Sequence, residues 1–222
     1  MQHFYGISGS NDPPALRYVI GVLLGDGSCW ETRSMHYRTG QPSITWRIEL
    51  AVKDREFAEA FADALTKILR RPDSPNRIIK VLKGRNASQA YRVLAASKSF
   101  GEWWQDMKTD LARLQPVITR YPALFLQGLY DSEGNLSHHR TGPIVRIFNQ
   151  RQDILALAIY ALNLLGMRAH IRVFRPSGTI VHFPNGITHT TTKALYVIDP
   201  KPARAFLGTI GSSIPRKRLE AE

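Results

Sequence analysis

The chain of 222 residues holds one cysteine, Cys29. A lone thiol excludes an internal disulfide and any zinc site built on paired cysteines. Its expected place is a small buried apolar position in a reducing, intracellular compartment. Long apolar runs are missing as well. The most apolar early stretch, residues 15–25, contains Arg17 and falls far short of the ~20 residues that a bilayer span needs. No membrane partner and no leader segment are therefore expected. Acid is the scarcer charge: 18 Asp and Glu face 30 Lys and Arg, for a formal net charge of +12 and a pI near 10.1. Such a balance disfavours a cationic partner and favours a polyanion, nucleic acid ahead of an anionic membrane surface. With 43% hydrophobic and 22% charged residues, disordered and collagen-like classes drop out. One compact fold, or two small halves sharing an interface, remains.

What the sequence does contain is a repeat. Residues 18–27 read YVIGVLLGDG and residues 125–134 read FLQGLYDSEG. Each has two small residues four apart, Gly21 and Gly25 or Gly128 and Ser132, followed by an acid and a glycine, Asp26-Gly27 or Glu133-Gly134. The acids stand about half a chain apart. After each motif the same order of elements follows. Residues 43–53 alternate, with Ile44, Trp46, Ile48, Leu50 and Val52 on one face and Thr45, Arg47, Glu49 and Lys53 on the other, the pattern of a strand buried on one side. Phe57, Phe61, Leu65 and Ile68/Leu69 then recur at helical spacing. In the second half a strand over 144–150 leads to Ile154, Leu155, Ala158, Leu162 and Leu165, with Gly166 as the helix C-cap. Further strands are predicted over 77–83 and 89–97, then 169–175 and 190–198, and terminal helices over 100–114 and 202–210. Gln115-Pro116 is the predicted boundary, because proline interrupts a helix; it divides the chain into halves 1–115 and 116–222. Residues 176–189, rich in Gly, Pro and Ser, are predicted as a long loop or a hairpin extension.

The motif helices should pack on each other. The first has Asp12 as its N-cap with Pro13-Pro14 in the opening turn. Small residues four apart leave one face without side-chain bulk, so two backbones can approach closely. Such packing brings Asp26 and Glu133 together near a pseudo-two-fold axis. Two close carboxylates repel and their protons become coupled, and a hard divalent cation with oxygen ligands is the natural neutraliser. One such helix alone would more often be a plain packed helix. Two copies with matching downstream elements argue otherwise.

Residues 126–134, LQGLYDSEG, resemble the LAGLIDADG motif position for position, and residues 19–27 resemble a degenerate first copy. The similarity of element order covers residues 10–210. Leu24 stands where that family often has an acid, and Glu133 replaces the commoner Asp. The resemblance implies an α+β fold of two pseudo-symmetric αββαββα halves, each with a curved antiparallel sheet that helps form a DNA-binding saddle, in a monomer with internal pseudo-two-fold symmetry. It implies a site-specific, intron- or intein-associated endonuclease that cuts double-stranded DNA at a long recognition site and leaves 3′ overhangs. Mg²⁺ would be held by Asp26 and Glu133 with the carbonyls of Gly25 and Ser132; Ca²⁺ would bind without supporting cleavage. Around the metal-bound waters the resemblance places Lys98 and Lys201, each just before its terminal helix, and the pair Lys53 and Gln150, with Asn149 beside them. A lysine there can favour an ionised water or offset charge on the reacting phosphate.

DNA contacts are expected from Trp30, Thr32, Ser34, Arg38, Thr45, Arg47, Arg77, Arg92, Arg140, Arg146, Arg172, Arg175, His182 and Lys193, some reading base edges and others holding phosphates. The tail Arg216-Lys217-Arg218 is expected either to add phosphate contacts or to fray. His138-His139 lack partners for a histidine-metal nuclease site and are expected in a turn or at DNA. Two other functions stay open on the same scaffold: an RNA maturase whose partner is intron RNA, and a catalytically silent DNA-binding regulator.

Overall fold

A computed structural model describes residues 13–35, 40–69, 80–83, 89–182 and 187–219. The first motif forms α1 (Ala15–Leu24), in which every residue from Leu16 to Leu24 is buried. It leads into strands β1 (Ser28–Met35) and β2 (Pro42–Val52), helix α2 (Arg55–Leu69), strands β3 (Lys80–Lys83) and β4 (Gln89–Ala96) and helix α3 (Lys98–Met107). Short α4 (Gln115–Thr119) precedes the second motif helix α5 (Pro122–Glu133). The order then repeats: β5 (Gly134–His139), β6 (Gly142–Asn149), α6 (Gln152–Leu164), β7 (Arg172–Arg175), the pair β8 (Ile180–His182) and β9 (Thr188–Thr190), β10 (Leu195–Ile198) and α7 (Ala203–Thr209). The two four-stranded sheets have orders β1-β2-β4-β3 and β5-β6-β10-β7, and the strands in both pair antiparallel. In corresponding positions the strand after each motif pairs with the next, Cys29 opposite Ile48 and Leu136 opposite Val145.

The alternation in β2 behaves as its pattern requires. Trp46, Ile48 and Leu50 are buried under helices, while Arg47 and Ala51 face out. Ile44, at the far end, is 46% exposed because the strand outruns its helical cover there. On α2, Phe57, Phe61, Leu65 and Ile68 are buried, and on α6 so are Ile154, Leu155, Ala158 and Leu162. Helix α6 stops at Gly166, which takes φ +70 while Gly166 N–H and Met167 N–H donate to the carbonyls of Asn163 and Leu162, a Schellman ending.

Three expected boundaries shift. The helix predicted over 100–114 ends at Met107, because Asp110 caps a new 3-10 turn (Leu111–Leu114) by accepting the Ala112 N–H at 3.0 Å. Pro116 then sits in the first turn of α4, where a missing amide donor costs nothing, so it opens a helix. The last strand begins at Leu195 because residues 176–182 and 188–191 pair with each other, β8 with β9 and Thr191 N–H donating to the Thr179 carbonyl. Asp12, the first part of the strand predicted over 77–83, Arg38 and Arg77 lie outside the described residues.

Helix α3 crosses Trp46 at Gly101, where a Cβ would lie 2.2 Å from Trp46 Cγ. Gly101→Ala should cost about 2 kcal/mol and lower the midpoint of thermal unfolding by roughly 5 °C. An unchanged melting curve would show that the indole yields freely.

Candidate active site

Helices α1 and α5 meet through their small residues. A Cβ on Gly21 would lie 2.3 Å from the Phe125 carbonyl oxygen, and one on Gly128 would lie 2.2 Å from that of Tyr18. At the C-terminal ends a Cβ on Gly25 would come within 2.4 Å of Ser132 Cβ and 3.0 Å of Glu133 Cγ. The predicted close approach is therefore real backbone-to-backbone contact, and it delivers the acids that follow Gly25 and Ser132 into one neighbourhood. Burial, then the charge of Asp26, push the Glu133 carboxyl up to about 7, against the pull of Lys217. Asp26 keeps solvent contact, yet the surrounding protein raises its carboxyl too, again opposed by Lys217. Glu133 thus feels the charge of Asp26, and both carboxyls feel that of Lys217.

A cavity of about 600 Å³ opens beside Glu133, bordered also by Gly25, Gly27, Asn149, Gln150, Arg151, Lys108 and Lys193; Asp26, between the two glycines, does not itself line it. Asn149 is buried at the end of β6 and donates from Nδ2 to Glu133 Oε1 at 3.4 Å, while its own Oδ1 accepts the Arg151 N–H at 2.9 Å. The side chain is held from both ends, and it fixes one oxygen of the acid. Gln150 and Lys193 thus share a cavity with Glu133. Lys53, Lys98 and Lys201 are exposed and do not border it. Lys98 lies 3.9 Å from Glu102, one turn along α3, and the Lys201 backbone pairs with Arg168.

The acid next to the site has a different part. Asp131 is buried and accepts from Tyr18 Oη at 2.8 Å, from Ser212 Oγ, and from Ser213 N and Oγ at 3.0 and 2.7 Å. These donors satisfy its charge, and they tie α1, α5 and the C-terminal segment together. That segment departs from the expected tail. Lys217 is buried and donates from Nζ to the carbonyls of Tyr130 at 3.0 Å and Asp131 at 2.7 Å. Nothing local marks it; the apolar Ile210 and Ile214 upstream, both buried, were the available hint.

The predicted DNA-contact residues fall into three groups. Trp30, Thr32, Thr45 and Arg47 form one polar patch, because Trp30 lies opposite Arg47 and Thr32 opposite Thr45; Ser34 continues it toward the strand end. Arg140 at the β5–β6 turn, His182 on β8, near Thr188, and Lys193 are exposed, and Arg175 lies beside the Phe174 ring. The remaining arginines are engaged within their sheets: Arg92 with Glu49 at 2.6 Å, Arg146 and Arg172 with a shared Asp199 at 3.3 and 2.8 Å. His138 and His139 end β5, and His139 lies near Thr141. Among the described residues no three His, Cys, Asp or Glu gather in a way that would hold a metal by themselves, so a cation at Asp26 and Glu133 would draw further oxygens from backbone, water or phosphate. Two carboxylates and helix-end carbonyls are an all-oxygen set that suits a hard divalent ion. No described helix is long and apolar enough to cross a membrane.

No protein-family model matches the sequence. The chain is similar to two uncharacterized proteins of Methanocaldococcus jannaschii: MJ0398, 27% identical over 92% of this chain and 69% of that protein, and MJ0314, 29% identical over 71% and 56%. It thus spans 56% to 69% of these relatives' lengths. Among solved structures it resembles the homing endonuclease I-DmoI in complex with DNA and Mn, with a TM-score of 0.59 and 21% identity over 89% of this chain and 96% of that one. The same endonuclease has been solved with DNA and Mg or Ca. It also resembles the N-terminal LAGLIDADG domain of WhiA, with a TM-score of 0.51 and 17% identity over 100% and 89%. These likenesses show the fold: α+β with antiparallel sheets, as in I-DmoI.

Proposed function

We propose that this chain is a single-chain LAGLIDADG endonuclease that binds a long double-stranded DNA site and hydrolyses both strands with a divalent ion, Mg²⁺ in the cell, leaving 3′ overhangs. The observation that carries the reading is the glycine-dependent seating of α1 on α5, which brings the charge of Asp26 to bear on Glu133 beside an open, basic-rimmed cavity. The likeness to I-DmoI structures with DNA and with Mn, Mg or Ca supports both the substrate class and the divalent ion. Intron RNA finds no support in these likenesses.

In this reading Asp26, Glu133 and the carbonyls of Gly25 and Ser132 hold the ion. A bound Mg²⁺ supplies Lewis acidity at phosphate and a more acidic water. The chain's own side chains do the rest. Asn149 keeps Glu133 oriented, and the exposed Gln150 is placed to hold water at the cavity rim. Lys108 and Lys193 bring positive charge to where phosphate oxygens would lie, while Arg151 at the same rim is paired with Asp153. Lys53, Lys98 and Lys201, exposed and away from this cavity, are assigned to the backbone on either side of the scissile bonds. The polar patch of Trp30, Thr32, Thr45 and Arg47 reads base edges.

The test is cleavage of a randomised duplex library by the purified protein with 5 mM Mg²⁺, with sequencing of the new ends. Recurrent paired breaks with 3′ overhangs are expected; Ca²⁺ should support retention of the same sequences without breaks. A second reading, DNA binding without cleavage, is kept because the fold is shared with the N-terminal LAGLIDADG domain of WhiA as well as with I-DmoI, and a shared fold does not by itself carry an activity. Enrichment of a sequence in Mg²⁺ without any broken ends would establish that reading instead.

A further inference from the structure

We propose that Lys217 is a built-in counter-ion of the acid pair, delivered by the C-terminal segment, and that it sets how tightly Asp26 and Glu133 take a divalent cation; the cation part rests on the function proposed above. The case begins with burial. An ammonium is costly to remove from water unless charge and hydrogen bonds replace the solvent, yet Lys217 is only 5% exposed. Its two hydrogen bonds go to carbonyls in the last turn of α5, at Tyr130 and Asp131, where the helix dipole favours a cation. The acid that ends this helix is Glu133. Helix α1 ends against the same turn, a Cβ on Gly25 lying 3.0 Å from Glu133 Cγ, so Asp26, the next residue, shares this end of α5 with Glu133 and the ammonium.

The segment around it is fastened on several sides, so the lysine is placed there by structure. Ser212 and Ser213 clasp Asp131, and Tyr130 Oη donates to the Lys217 carbonyl at 3.3 Å. Arg216 pairs with Asp54 at 2.8 Å, at the start of α2 in the other sheet's half, and Arg218 Nε and Nη2 each donate at 2.7 Å to the carbonyls of Ser212 and Ser213. Arg216 and Arg218 are thus engaged with the protein, and the middle residue of the basic triplet is turned inward to the α5 terminus. Asp131 is the nearest competing explanation, since its charge acts on Lys217 more than that of Asp26 does. Its carboxylate, however, already has Tyr18, Ser212 and Ser213 as donors, and Lys217 bonds its carbonyl.

Two measurements on the full chain decide the matter. In metal-free buffer at pH 7.5, Lys217→Met should lower the midpoint of thermal unfolding, and the same change made in the Asp26→Asn/Glu133→Gln background should lower it by no more than half as much. An equal fall in both backgrounds would overturn the proposal, because the charge would then serve Asp131 or the helix end alone. If Lys217→Met does not fold, folding of the triple variant supports the proposal and its failure to fold overturns it. Calorimetric titration with Ca²⁺ supplies the second readout: Lys217→Met should bind roughly tenfold tighter than the unmodified protein, since one repelling charge is gone, and Lys217→Arg should bind as the unmodified protein does. Equal affinity in Lys217→Met and the unmodified protein overturns the control of cation affinity. Absence of Ca²⁺ binding in every form would sink the metal site, while the thermal cycle still judges the counter-ion.

Discussion

Glu133→Gln should have two large effects of opposite sign. In Mg²⁺ it should lower cleavage by roughly 10³-fold or more, the scale of several kcal/mol of lost metal-based stabilisation at the transition state, and Asp26→Asn should do the same. Neither should weaken DNA retention in filter binding, because removing anionic charge beside phosphate does not diminish attraction to it. In metal-free buffer Glu133→Gln should make the protein more stable. The sign follows from the raised carboxyl: the folded protein holds the Glu133 proton up to about pH 7, whereas the group's ordinary value is 4.5. The cost of ionising it in the fold is absent below 4.5, grows as pH rises between those values and is complete above 7. At pH 8 it amounts to at most about 3 kcal/mol. The difference in melting midpoint between the glutamine variant and the unmodified protein should therefore be near zero at pH 4.5 and several degrees at pH 8. Added divalent ion should erase the advantage by stabilising only the glutamate form. A glutamine variant less stable at pH 8 than its parent would contradict the assigned environment of Glu133, and full cleavage by either variant would remove the acids from catalysis.

The part of this site that depends on spacing was legible in the sequence. Gly21, Gly25, Gly128 and Ser132 announce a close helix contact because only residues of that size, four apart, permit one. The β2 alternation and the Gly166 cap follow from rules that act within a few residues. What stayed hidden depends on partners remote in the chain. Asn149 stood in the sequence only as a neighbour of Gln150, and its bond to Glu133 exists because β6 runs back beside β5. Arg92, Arg146 and Arg172 stood in the sequence as candidate DNA contacts, and their pairing with Glu49 and Asp199 across the strands could not be read there. Lys217 looked like a solvated tail because its ligands are carbonyls some 86 residues earlier, and backbone carbonyls leave no mark in a sequence. The break between α3 and α4 was hidden by an apolar spacing that continues through Leu111 and Leu114, while one aspartate cap decides the geometry.

Gly21→Val or Gly128→Val should be among the most damaging small-residue changes at the described residues. Both would press a side chain into a backbone carbonyl at 2.2–2.3 Å, and the backbone of a packed helix cannot step aside as a side chain can. The helices would have to separate, losing dispersion contacts along the seam, at a cost of roughly 3 kcal/mol or more and a melting midpoint lower by about 10 °C. Cleavage should fall further than stability, because separation also moves Asp26 away from Glu133. Gly25→Ala differs in kind. Its added methyl meets Ser132 Cβ at 2.4 Å, an atom that a second substitution can delete. Gly25→Ala/Ser132→Gly should therefore regain much of the stability and cleavage that Gly25→Ala alone loses. The recovery should stop short of the parent because Ser132 Oγ also donates to the Gly128 carbonyl at 3.1 Å. A double variant no better than Gly25→Ala would mean that the two helix ends do not meet at these residues, and the shared centre for the acids would fall with that contact.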